Sequence, residues 1–145
     1  MSSSNREIVL QWFDEVWNKG DEGAIDRLMA PGAQFHGLTS EAEAPVVGPA
    51  AFKPFVEAFR KAFPDIRIRV LQTICEGDRV AVRCVVTGRH DGEGFGIKAT
   101  GSSIEVSGMA MATIRDGQLQ EGWNCFDFLS LYQQLDLLPA LPTGA

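Results

Sequence analysis

The first periodic run of apolar residues is Ile8, Val9, Trp12, Phe13, Val16 and Trp17, spaced three and four apart, and it predicts an amphipathic helix. Ser4-Asn5-Arg6-Glu7 ahead of it reads as a capping box, and Asn18-Lys19-Gly20 stops it. A short second helix follows, capped by Asp21, with Ala24, Ile25, Leu28 and Met29 on its apolar side and Pro31 as its end. Ala33 to Gly37 reads as a short strand. Leu38 to Gly48 is polar, acidic and aperiodic, the pattern of a surface loop and a candidate lid over a pocket. Pro49 suits the first turn of a third helix, whose Phe52, Phe55, Val56, Phe59 and Phe63 form one stripe opposite Lys53, Glu57, Arg60 and Lys61. Pro64 ends it.

Beyond Pro64 the period falls to two. Ile66, Ile68, Val70 and Ile74 are read on one face of a strand, against Arg67, Arg69 and Thr73, before a turn at Gly77-Asp78. From Arg79 to Asp91 the even positions Val80, Val82, Cys84, Val86 and His90 share a face that is expected to look inward, and Arg79, Arg83, Thr87, Arg89 and Asp91 share the other. Gly92, Gly94 and Gly96 interrupt the alternation, Ile104 to Arg115 resumes it, and Asp116-Gly117 signals a hairpin into a last strand, Gln118 to Phe126. At Asp127 the period turns helical again. Helices first and a meander of strands afterwards predict an α+β domain in which a curved sheet wraps the helices. Residues 1–145 read as one domain, with 1–4 and 139–145 as tails.

With 145 residues, 45% of them hydrophobic, the chain is long enough for one proper core. Its net charge of -6 argues against nucleic acid or an anionic membrane surface as partner, since both need clustered Lys and Arg. No stretch approaches the ~20 apolar residues of a membrane helix. Met1 to Glu7 has no apolar core of a secretory signal, and Cys75, Cys84 and Cys125 lack the close pairing of a zinc site. A reduced, cytoplasmic protein without a metal site is expected. Gly92-Glu93-Gly94-Phe95-Gly96 opens no helix and so reads as a hairpin or bulge rather than a phosphate loop.

Three stretches in this order, VWNKGDEGAIDRLMAPGAQFHG, TGRHDGEGFGIKATG and EGWNCFDFLSLYQQLD, resemble the SnoaL-like polyketide cyclases (ester cyclases) of the nuclear transport factor 2-like superfamily. The resemblance implies a cone-shaped half barrel with an apolar pocket, a homodimer formed through the outer sheet face, and a small apolar or polycyclic carbonyl ligand. It also implies that the residue matching Asp127 is the general acid/base of an aldol ring closure, without metal, cofactor or covalent intermediate. Two departures stand out. Asp136 falls where the family usually has Gly, and Ala110 falls where its best-known members have a His on the penultimate strand.

Asp127 and His90 are the expected catalytic pair. Leu119, Trp123 and Cys125 share the strand parity of Asp127, and a pocket lined by them would desolvate its carboxylate and favour proton exchange near neutrality. Asp127 is equally suited to cap the Phe128 to Leu135 helix. An inward His90 could orient a carbonyl or meet Asp127, and a buried His satisfied by backbone is the alternative. Trp17, His36, Phe59, Met109, Met111 and Trp123 are candidate pocket walls, although such residues commonly serve as core. A runner-up enzyme is a limonene-epoxide-hydrolase-like arrangement of Arg89, Asp91 and Asp127, which strand parity opposes. A non-catalytic module that binds a small ligand or dimerises is the reading from another class.

Overall fold

The computed structural model describes residues 2–38, 44–94 and 96–138. Helix α1 (Ser2–Gln11) runs directly into a π-helical stretch (Trp12–Asn18), so Ser4 lies within the first turn instead of capping it. The wide turn is visible in the five-residue step from the Lys19 N–H to the Asp14 carbonyl, 3.0 Å. It keeps Trp12, Phe13, Val16 and Trp17 all buried. Helix α2 (Glu22–Leu28) is capped by Asp21, whose side chain accepts from the Gly23 N–H, and α3 (Gly48–Ala62) carries Pro49 in its first turn. Helix α4 (Phe128–Gln134) closes the described chain.

Six strands, β1 (Met29–His36), β2 (Val46–Val47), β3 (Arg67–Glu76), β4 (Arg79–Arg89), β5 (Ser103–Arg115) and β6 (Gln118–Phe126), form one curved, unclosed sheet in the order β2-β1-β6-β5-β4-β3. All neighbours are antiparallel except β1 with β6. Strand β1 begins four residues earlier than its sequence suggests, and Val46–Val47, expected as loop, pairs with it. The proposed lid falls partly on residues 39–43, outside the described residues.

Helix faces and the concave face of the sheet share one core. Phe52 from α3 meets Trp12, Phe35 and Trp17 with ring centroids 5.0, 5.2 and 6.0 Å apart, in tilted and edge-on geometry. The expected inward face of β4 is inward: Val80, Val82, Cys84 and His90 are buried. Asn18 ties the end of the π-helical stretch to the sheet. Its amide oxygen accepts from the Ile68 N–H at 2.6 Å and its amide nitrogen donates to the Ile68 carbonyl at 3.0 Å. Arg60 of α3 donates to the Trp17 and Asn18 carbonyls, a cation where the helix leaves acceptors unpaired.

Bulges correct the sequence reading at two places. Between Val70 and Gln72 the β3–β4 register shifts, and the extra residue flips parity so that Ile74 points away from the core. Between Ile114–Leu119 and Thr113–Glu121 the β5–β6 register shifts in the same way. Leu119 is therefore buried in the core, but beyond the bulge Asn124 and Phe126 line the inner cavity, and Trp123 and Cys125 lie against Met109 and Met111 along the opposite groove. The face proposed to desolvate Asp127 does not exist as one face.

Candidate functional site

The concave face leaves an inner cavity of about 70 Å³, walled by aromatic residues including Trp12, Trp17, Phe35, Phe59 and Phe126. The ring of Phe126 lies over Gly108, where an added Cβ would be 2.1 Å from it, so the glycine makes room for that wall. A larger groove of about 520 Å³ continues outward from the cavity, sharing Leu38, Phe55, Phe59, Phe63, Phe128 and Leu131 with it. The cavity has room for only a few waters or the edge of one ring, whereas the groove is in the range of small-molecule sites. A ligand body would therefore lie in the groove and reach inward with one end.

Polar groups are sparse here. His90 and Tyr132 line the groove. Besides the indoles of Trp12 and Trp17, Asn124 is the polar side chain of the inner cavity, with its amide nitrogen donating to the His36 carbonyl at 2.9 Å. His90 packs its ring against Phe63, centroids 5.2 Å apart, and its Nδ1 is held by Thr100. Gly92 lets the chain after His90 press on the end of α3: an added Cβ would lie 1.8 Å from the Lys61 carbonyl oxygen. Close approach accounts for Gly92 and Gly94, and a φ of 73° for Gly96.

Asp127 is exposed and is the N-cap of α4, its Oδ1 accepting from the Ser130 N–H at 3.0 Å. Its own N–H donates to the Ser107 carbonyl. Among the described residues no hydrogen bond joins Asp127 to His90. Phe128, next in the chain, lines both cavity and groove. Trp17 and Phe59 line the inner cavity.

Met109, Met111 and Trp123 line a separate shallow groove on the outer sheet face, with Ile74 and Cys125. His36 belongs to that side as well: its Nε2 is 2.7 Å from Glu121 Oε2, and its ring stacks on Trp123 at 5.8 Å. The reason is alternation, since Phe35 takes the inward position of β1 and the β6 bulge turns Glu121 and Trp123 outward. Arg89 and Asp91 pair with each other at 2.9 Å, both exposed, without meeting Asp127. Inside the core, burial pushes the Cys84 thiol up to about 11, so it stays protonated and acts as packing. Thr100 and Asn124 were not singled out from sequence; Thr100 lay within the His-containing stretch, and Asn124 was hidden by the bulge.

A curved open sheet around helices, with an aromatic cavity open at one end, defines the nuclear transport factor 2-like class. Within it, the chain belongs to the SnoaL-like polyketide cyclase family, whose profile matches residues 7–135. It is similar to a candidate SnoaL-like polyketide cyclase from Jannaschia sp. CCS1, with 28% identity, 95% of each chain covered and a TM-score of 0.82. A candidate polyketide cyclase from Acidithiobacillus ferrooxidans is 30% identical over 94% of this chain and 96% of that one, TM-score 0.81. AclR from Streptomyces galilaeus, described as a candidate hydroxylase, is 28% identical over 99% and 87%, TM-score 0.82. No protein of curated function matches the chain. No helix among the described residues is long and apolar enough to cross a membrane.

Proposed function

We propose that the chain is a cyclase-type enzyme for a small apolar or polycyclic carbonyl compound, with Asp127 moving a proton at an activated carbon and His90 assisting. The reading rests on the continuous aromatic space of cavity and groove, with His90 in its wall and Asp127 directly ahead of Phe128. The Ser130 N–H orients the carboxylate through Oδ1. Oδ2 is without a protein partner among the described residues. A ligand that displaces water beside a carboxylate favours its neutral form, the condition for returning a proton to product. Asp127→Asn is the test, because Asn caps a helix as well as Asp and should leave α4 in place. Turnover of a polyketide-type ketone found by screening should fall about a hundredfold or more. Unchanged turnover in the folded variant removes the role.

The exposure of Asp127 and its cap geometry favour a second reading, a non-catalytic module that binds the same class of ligand. It expects ligand affinity without turnover in the wild type. We also propose a homodimer through the outer sheet face, where Ile74, Met109 and Met111 are exposed beside Trp123. A cytoplasmic setting accords with the three free thiols.

A further inference from the structure

His90 is only 2% exposed, and both hydrogen-bond contacts of its side chain fall on one nitrogen. Nδ1 accepts from the Thr100 backbone N–H at 3.2 Å and lies 3.0 Å from Thr100 Oγ1. A backbone N–H can only donate, so Nδ1 offers its lone pair and the proton of the neutral ring sits on Nε2. Thr100 Oγ1 in turn accepts from the Ser102 N–H at 3.3 Å, which leaves its own proton for Nδ1. The backbones are tied as well: the His90 N–H donates to the Ser102 carbonyl and the Gly101 N–H to the His90 carbonyl, both at 2.8 Å.

Nε2 has no partner among the described residues, and no fully buried side-chain nitrogen or oxygen among them lacks one. The little exposure His90 retains therefore includes Nε2–H, and it opens on the groove that His90 lines. Leu38, Phe55, Phe59, Phe63 and Phe128 line the same groove. A buried, fixed donor in a wall where Tyr132 is the other polar side chain is complementary to an apolar ligand with few acceptors. An anionic carboxylate would lose its hydration for one neutral hydrogen bond, so a ketone or enol-type oxygen suits the wall better.

We propose that His90 is the fixed hydrogen-bond donor of the groove, that Thr100 is the positioning residue holding it in the Nε2–H tautomer, and that the ligand presents a carbonyl oxygen from a flat apolar body. This deepens the function proposed above, since it rests on the groove being the ligand site. It also narrows the part of His90, which gives a hydrogen bond to the carbonyl and takes no proton from the ligand.

Nitrogen-15 NMR of the His90 ring in the ligand-free protein reads the first half directly. A protonated Nε2 with an unprotonated Nδ1 is expected, and a proton on Nδ1 overturns the assignment. The second half is read with two probes that differ by one carbonyl, 1-tetralone and tetralin, titrated against the tryptophan fluorescence of the full chain. The affinity ratio of ketone to hydrocarbon should fall about fivefold to tenfold in His90→Phe. His90→Gln, which keeps an N–H donor on a chain of similar reach, should preserve the ratio. Thr100→Val should lower the ratio without changing the affinity for tetralin and bring in the other tautomer, and Thr100→Ser should restore both. An unchanged ratio in folded His90→Phe defeats the donor role while leaving the groove a ligand site. Failure of both probes to bind the wild type defeats the groove and the donor role together. Neither result depends on the turnover of Asp127→Asn.

Discussion

On the concave side of the sheet Val80, Val82, Cys84 and Val106 meet helices and leave a small aromatic cavity, whereas on the convex side Ile74, Met109 and Met111 stand 64%, 57% and 38% exposed. Both sides are apolar, so hydrophobicity alone does not tell them apart. The concave side is closed by α1, α3 and the π-helical stretch. Beside its apolar strip the convex side carries the His36–Glu121 pair, the stacked Trp123 and the Arg83–Gln72 hydrogen bond. One surface is covered within the chain, and the other leaves apolar side chains uncovered, as the proposed homodimer requires.

The largest separation of the two faces should come from deleting one large apolar side chain on each. Phe52→Ala removes a side chain 1% exposed that touches Trp12, Trp17 and Phe35. It should cost about 3–5 kcal/mol in urea denaturation. Met109→Ala on the convex face should change the stability of the separated monomer by less than about 0.5 kcal/mol. Equal losses would mean that the faces are not energetically distinct.

Asn18→Ala sits between these extremes, since it deprives two backbone groups of Ile68 of their partners. A loss of about 1–3 kcal/mol is expected from the same denaturation experiment. A shift below the error of the fit would mean that water replaces the amide. Ile74→Glu should alter monomer stability least of all, yet abolish self-association in sedimentation velocity. It should also raise the rate at which a thiol reagent reaches Cys125, which lines the same strip. A wild type that is monomeric at all concentrations, with Cys125 already fully reactive, would remove the proposed dimer.

Much of this division was legible in the chain. Helical spacing placed Trp12, Phe13, Val16 and Trp17 on one buried side, and alternation set the inward face of β4 through His90. The bulges were not legible, because an extra residue leaves no mark in composition while reversing every side chain beyond it. That is why Ile74, Trp123 and Cys125 came out on the wrong side. On β5 the run from Gly108 to Ala112 is apolar or small at every position, so Met109 and Met111 carried no polar neighbours to betray their exposure. The Thr100–His90 contact joins two residues across a glycine-rich excursion, and nothing in spacing specifies it. The family's usual Gly at Asp136 does have a local reason: Asp136 has a φ of 64°, beyond the end of α4, where a side chain is strained and Gly is not.

Among the described residues strand β3 is the last of the sheet, with β4 on one side and no strand on the other. The N–H and carbonyl of Ile68 would both be available there to an incoming strand, but the amide of Asn18 occupies the two of them. A single side chain thus imitates a neighbouring peptide and shuts the start of an open margin, which Arg67 and Arg69 flank with charge. The residue that anchors the first helical segment is in this way also a guard against templated aggregation.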